Sequence, residues 1–368
     1  MAERQAAVED MVSSAAPDPS FWAGRKILLT GHSGFKGAWA ALWLHRLGAE
    51  VHGLALAPET EPSLWREAVE SVLASETLCD IVDAAAVRRA VSAVQPELVL
   101  HMAAQALVRR SFADPLGTIA TNTLGTANLL DALRQVDGVK AALIVTTDKV
   151  YANAGAARHF VEDDRLGGHD PYSASKAAAE LVTQSFSASF LAPRGVAVAT
   201  ARAGNVVGGG DWSEDRLVPD LWRAARDGVP LALRSPGATR PWQHVLEPLA
   251  GYLLYLERLA GGAGLPPALN FGPLPGAPLS VAEVAEAMAA ALGVEHGWRQ
   301  DEGDHPPEMQ WLSIDPALAG QALGWRPRLD ARETIGWTAF WYDEHRCGGS
   351  ARALCLDQIR EYEMILTA

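Results

Sequence analysis

Five side chains in two short stretches could carry out proton chemistry together. The apolar run Ala141–Val145 leads into Thr147, Asp148 and Lys149, a hydroxyl, a carboxylate and an amine. Further on, Tyr172 and Lys176 stand four apart at the start of an Ala-rich segment. On a helix that spacing puts both on one face. A cation beside a phenol favours the phenolate, so the pair predicts a proton shuttle working near neutral pH. Thr147 is placed to share that proton or to bond a substrate hydroxyl. Asp148 and Lys149 add a second acid/base set, and the five together read as an active site.

The elements that must position them alternate along the chain. A short strand at 27–29 runs into Gly31, Gly34, Phe35 and Gly37, and then into a helical run at 38–44. Strand, glycine turn and helix in that order predict a dinucleotide site. The first glycine allows a tight turn, the second lets backbone approach a pyrophosphate, and the third lets helix and strand pack. The helix N-terminus offers free N–H groups and partial positive charge to the phosphates. His32, beside this turn, reads equally as a polar filler. The second strand, 50–56, ends without the acid that usually meets the ribose diol. Glu59 is the first acid after it, and no Arg stands there for a 2′-phosphate, so NAD is expected rather than NADP.

Asp80 is placed either to bond an adenine amino group or to cap the helix predicted at 84–94. A strand at 96–105 ends in small residues, Ala103 among them, which leaves room for a cofactor against the backbone. Asn122 either caps a helix running to Leu133 or serves the site. Strands and helices alternate as far as Thr200, which predicts an α/β fold: a Rossmann-type, doubly wound parallel sheet over 21–200. Residues 1–20 read as a loosely attached extension. Residues 201–368 read as a smaller, mainly substrate-binding C-terminal region interleaved with the first.

The glycines at 204 and 208–210 argue for a loop over 202–212. Arg216, Arg234 and Arg240, spread through an acidic chain, fit either a phosphate pocket or surface ion pairs. Residues 279–292 read as an amphipathic helix. Asp304, His305 and Glu308 do not make a metal site, because two prolines break the spacing. Trp325, Trp337 and Trp341 read as packing residues. The net charge of the 368 residues is −13, and 49% of them are hydrophobic against 20% charged. That excludes nucleic acid and anionic membrane as partners and makes any anionic ligand depend on a local basic pocket. No run approaches the roughly 20 apolar residues of a membrane span. Cys79, Cys347 and Cys355 show neither metal-ligand nor pairing spacing, so a reducing cytoplasm is expected.

Gly31-x-x-Gly34-x-x-Gly37, the strand ending at His101-x-Ala103-Ala104-Gln105, and Tyr172-x-x-x-Lys176 together resemble the extended short-chain dehydrogenase/reductase superfamily. Residues 30–37, 62–64, 147–149, 202–212, 240–245 and 323–327 are similar to the branch of nucleotide-sugar 4,6-dehydratases that take CDP-glucose. The resemblance runs from about Phe21 into the C-terminal region. It implies a Rossmann fold with NAD held by the glycine turn, Asp80, Ala103, Asn122, Tyr172 and Lys176. It also implies CDP-glucose held by Asn205, Arg216 and Arg240, to which the spread of arginines adds Arg234 as a substrate-binding candidate, and pairing as a homodimer or homotetramer.

The implied reaction has Tyr172 oxidise C4 with hydride passing to NAD. Water then leaves across C5 and C6 with Asp148 as acid, and the hydride returns to C6. Lys149 stands where related dehydratases carry a Glu base, and acts as a base only if its pKa is lowered. Two other functions compete. One is an epimerase or oxidoreductase using Thr147, Tyr172 and Lys176 alone. The other is a non-catalytic dinucleotide sensor.

Overall fold

The strands at 26–30, 98–101 and 141–145 are buried along nearly their whole length, which is why they read as apolar runs rather than alternating ones. The computed structural model describes residues 16–153, 155, 158–273, 279–293, 298–301, 303 and 312–368. Its strands are β1 (Lys26–Thr30), β2 (Glu50–Ala55), β3 (Ser75–Leu78), β4 (Leu98–His101), β5 (Ala141–Val145) and β6 (Ala197–Ala203), followed by β7 (Val206–Val207), β8 (Leu231–Leu233), β9 (Gln243–His244), β10 (Ala268–Phe271) and β11 (Trp298–Gln300). Seven form one sheet in the order β10-β6-β5-β4-β1-β2-β3, with every pairing parallel. β1 lies between β2 and β4, so the direction of winding reverses there and a crevice opens beyond the strands' C-terminal ends.

The principal helices are α1 (Phe35–Arg46), α2 (Ala84–Val94), α3 (Gly125–Leu133), α4 (Pro171–Phe186), α5 (Leu217–Asp227), α6 (Leu246–Ala260), α7 (Val281–Ala291), α8 (Ala331–Arg346) and α9 (Ala351–Thr367). They cover both faces of the sheet. Alternate residues of β1 show this: Ile27 and Leu29 join the core beneath α1 and α6, while Leu28 joins the core beneath α2 and α3.

Several expectations change. The sheet does not end near Thr200, because β10 returns from much later in the chain and pairs with β6. The loop expected over 202–212 carries structure: β6 reaches Ala203, and β7 pairs with β9. The helix expected to open at Asn122 starts earlier, so Asn122 sits inside a helical run through Ala120–Leu124. Residues 1–15 of the expected extension lie outside the described residues. From Ala16 the chain is anchored, with Trp22 fully buried and its indole donating to Glu257 at 2.5 Å. α7 bears out the amphipathic pattern and opens on a Ser280/Glu283 capping box. Trp325 and Trp341 are core residues, and Trp337 packs half-buried against the same cluster. Asp304, His305 and Glu308 lie outside the described residues. Among the described residues no helix is long and apolar enough to cross a membrane.

Candidate active site

The glycine turn between β1 and α1 is shaped by close approaches. Gly31 has φ +78°, and a Cβ there would fall 2.6 Å from the Ala103 backbone nitrogen. A Cβ on Gly37 would fall 2.0 Å from the Gly31 carbonyl oxygen. Gly34 is different: it is exposed, lines the cleft and begins α1 without a side-chain cap. Free N–H groups therefore face the cleft, as an anion requires. Thr30 Oγ1 accepts from the Met102 and Ala103 nitrogens at 3.1 Å each and bonds His101 Nδ1 at 2.7 Å, tying the ends of β1 and β4 together. His32 is buried and its Nε2 meets Glu76 at 2.6 Å, which fits the filler reading.

A cleft of about 1320 Å³ opens over this point. Thr147, Lys149, Tyr172 and Lys176 all line it. β5 delivers Thr147–Lys149, and α4, capped by Asp170, delivers Tyr172 and Lys176 from one face. The Tyr172 phenol lies beside Thr147, and both line the cleft. Thr147 Oγ1 donates to Asp148 Oδ1 at 3.0 Å, and Lys149 Nζ meets the same oxygen at 3.2 Å. Asp148 does not line the cleft. It is fully buried, its Oδ2 has no hydrogen-bond partner, and that oxygen lies where a Cβ on Gly204 would come within 2.7 Å.

The expected phenolate is not the resting form. Burial pushes the Tyr172 phenol up to about 12, with Thr147 the largest opposing influence. Lys176 does not offset this, because its ammonium donates to the Val145 carbonyl at 3.0 Å. Burial brings Lys176 itself down to about 8, against the pull of Glu180.

Phe35, Asp80 and Ala103 line the cleft, as do Asn205, Arg216, Arg234 and Arg240. Asp80 does not cap α2. That role belongs to Asp83, which accepts from the Ala85 and Ala86 nitrogens. Arg216 also pairs with Asp211 at 3.2 Å, and Arg240 donates to its neighbouring carbonyl at Thr239. Asn122 lies behind the wall. Its amide is spent on Gln105 and Ser175, and so it latches the loop after β4 to α4.

Two features escaped the sequence reading. Glu180, one turn beyond Lys176, accepts from Thr146, Thr200 and both Nε and Nη2 of Arg202, all within 2.5–2.9 Å. Arg202 continues to the Tyr151 hydroxyl at 2.8 Å. The signal was an acid at i, i+4 from Lys176 and an arginine inside an apolar strand. The second feature is Lys36, which lines the cleft beside the glycine turn.

Fold and cleft define a Rossmann-type nucleotide-binding enzyme class, with acid/base groups at the winding reversal. Residues 27–270 match the NAD dependent epimerase/dehydratase family, and the chain belongs to it. It is 41% identical over 331 residues to CDP-glucose 4,6-dehydratase of Salmonella typhimurium, covering 88% of this chain and 92% of that protein. Among solved structures it resembles dTDP-glucose 4,6-dehydratase from Streptomyces venezuelae, solved with NAD bound. The TM-score is 0.73 and the identity 27%, over 88% of this chain and 98% of that one. The UDP-glucose 4-epimerase of Thermotoga maritima shares the fold at TM-score 0.76 and 21% identity, over 87% and 99%.

Proposed function

We propose that this chain is an NAD-dependent nucleotide-sugar 4,6-dehydratase whose substrate is CDP-glucose. The observation that carries the reading is the bonded set Thr147–Asp148–Lys149 directly behind and beside Tyr172, with Thr147, Lys149 and Tyr172 lining one cleft. An epimerase needs only the Tyr172 end; Asp148 and Lys149 would be surplus. The 41% likeness to a CDP-glucose enzyme supports the choice of base.

NAD, when bound, supplies a hydride acceptor for C4 and a donor for C6. The glycine turn and the open start of α1 fit its diphosphate, and Phe35, Asp80 and Ala103 line the same space. The Tyr172 phenolate that burial resists would be favoured by the positive charge of a bound oxidised nicotinamide. Tyr172 takes the C4 hydroxyl proton as the C4 hydrogen leaves as hydride. The ketone so formed acidifies C5. Lys149 and Asp148, in contact at 3.2 Å, are the base toward C5 and the acid toward the C6 oxygen in this reading. Lys149 then takes the C5 proton. Asp148, its Oδ2 opened to the substrate, protonates the C6 oxygen as the C–O bond breaks and water leaves. Hydride returns to C6, and Lys149 gives its proton back to C5. The count closes through Thr147, which donates to Asp148 and lies beside Tyr172: Tyr172 has gained one proton and Asp148 has lost one.

Residues 21–200 together with the returning β10 form the cofactor half in this reading, and most of 201–368 the substrate half. Asn205, Arg216, Arg234 and Arg240 hold the nucleotide diphosphate. The enzyme is cytoplasmic and pairs with itself. Exposed Leu116 (78%), Ile119, Leu124 and Leu181 on adjoining helical segments give a face for a second copy, which light scattering would detect. The reaction is tested by mass spectrometry of CDP-glucose, dTDP-glucose, UDP-glucose and GDP-mannose, each incubated with protein and NAD. Loss of one water from CDP-glucose alone is expected. Epimers without water loss, or no change, would contradict it.

A further inference from the structure

Three glycines followed by an acid, Gly208-Gly209-Gly210-Asp211, form a backbone run with no side chain of its own to pin it. The fold pins it from outside. A Cβ on Gly209 would fall 2.0 Å from the Trp341 ring, and Gly210 turns the chain at φ +77°. Side chains of three helices then bond the carbonyls of this stretch. The Trp39 indole of α1 donates to Gly209 at 2.9 Å, and the Tyr342 hydroxyl of α8 donates to Asp211 at 2.6 Å. Arg223 of α5 donates to Trp212 at 3.1 Å and to Ser213 at 2.9 Å. The backbone that carries Asp211 is therefore a fixed mount at the wall of the cleft.

Asp211 itself is buried, at 3% exposure. Its Oδ1 accepts from the Ser213 nitrogen at 3.1 Å, and its Oδ2 accepts from Arg216 Nη1 at 3.2 Å. Arg216 stands just before α5 and lines the cleft, its side chain about one third exposed. The neighbouring acid does not compete for it. Asp215 has φ +57°, and its carboxylate meets Arg109 instead, at 2.6 Å. The Asp211 contact occupies only Nη1. Among the described residues the Nε–Nη2 edge of Arg216 has no partner. That edge is a planar fork matched to two oxygens of a phosphate. An arginine stem loses much rotamer freedom on binding unless something already holds the head in place.

We propose that Asp211 is a positioning residue of the substrate site: it holds the Arg216 guanidinium by Nη1 so that the Nε–Nη2 fork is preset for a phosphate of the nucleoside diphosphate. The proposal rests on the nucleotide-sugar reading above, in which Arg216 binds that group. Asp211 touches no ligand in this arrangement and acts only through Arg216. Its carboxylate also keeps the arginine from turning away to another acid, which is the fate of Arg109 at Asp215 and of Arg223 at Asp220.

The test is isothermal titration of CDP into the NAD-loaded full chain, for the wild type, Asp211→Asn, Arg216→Met and the double variant. Asp211→Asn keeps the shape and an acceptor for the Ser213 nitrogen but removes the charge that holds Arg216. It is expected to weaken CDP about tenfold, as is Arg216→Met. The double variant is expected to bind no more weakly than Arg216→Met alone, because Asp211 then has nothing left to position. In turnover of CDP-glucose, Asp211→Asn raises KM about tenfold and lowers kcat less than about threefold. A residue that only held the fold would lower the active fraction and leave KM in place. If Asp211→Asn does not fold, Tyr342→Phe removes the donor to the Asp211 carbonyl, leaves the carboxylate, and enters the same cycle with Arg216→Met. CDP affinity unchanged by Asp211→Asn, or losses that add in the double variant, overturns the proposal and leaves the dehydratase reading standing. A wild type that binds no CDP overturns both. The coupled pattern in a protein that removes water from no sugar nucleotide keeps the proposal and overturns the dehydratase reading.

Discussion

Two buried clusters of opposite charge flank the start of α4, and they are finished to different degrees. In the Glu180–Arg202 cluster both carboxylate oxygens are taken twice, by Thr146, Thr200 and Arg202. The rest of the arginine reaches Tyr151 and the Glu162 carbonyl. In the Asp148 cluster, Oδ1 is bonded by Thr147 and Lys149 while Oδ2 is left without a partner. A buried polar atom without a partner costs free energy, so the two clusters differ in how fully their burial is offset. The first cluster ties β5, β6 and α4 together; the second is the one to which the proposed function assigns the chemistry.

The comparison breaks most visibly at Asp148. Asp148→Asn keeps the shape but removes the acid, so water loss from CDP-glucose falls by about 10²–10⁴-fold while C4 oxidation remains detectable as NADH absorbance. Equal loss of both steps would make Asp148 structural, like Glu180. Glu180→Ala tests the other side. It leaves Arg202 buried and unpaired at about 3–5 kcal/mol, read as a lowered urea midpoint. Unchanged stability would contradict the division. Gly204→Ala probes the room beside Oδ2, since its Cβ would come within 2.7 Å of that oxygen. Dehydration is expected to fall more than NAD binding, measured by turnover and titration side by side.

Smaller effects join the clusters. Glu180 raises Lys176, whose amine burial has brought to about 8. Glu180→Gln removes that support, so the alkaline limb of the C4-oxidation pH profile moves to lower pH. A profile that stays in place would uncouple the two clusters. Far from both, burial pushes Glu247 and Glu257 up to about 7 from 4.5. The folded state then holds protons that the unfolded chain releases. Stability falls as pH rises from about 4.5 to about 7, and Glu247→Gln flattens the slope of Tm against pH.

The parts of this molecule legible in sequence are those whose partners are local. The glycine turn, β5 with its Thr147–Lys149 end, and the Tyr172/Lys176 face each declare themselves within a few residues. β10 could not be read, because its pairing with β6 spans a long excursion that leaves no periodic trace. Asn122 misled for a related reason. A residue that suits a helix cap sits mid-run and spends its amide across the fold on Gln105 and Ser175. The Tyr172–Lys176 spacing gave the right face and the wrong electrostatics, since burial outweighs a lysine that turns to a backbone carbonyl. Lys36 stood in plain view inside the glycine motif. Its sign is a cation where helix physics disfavours one.

The most direct measurement follows the hydrogen itself. CDP-glucose deuterated at C4 is incubated with the protein and NAD, and the product is examined by NMR and mass spectrometry. The account predicts a product lighter by one water with the deuterium at C6. Deuterium returned to C4 with no water lost would contradict it and leave Asp148 and Lys149 without the chemistry assigned to them.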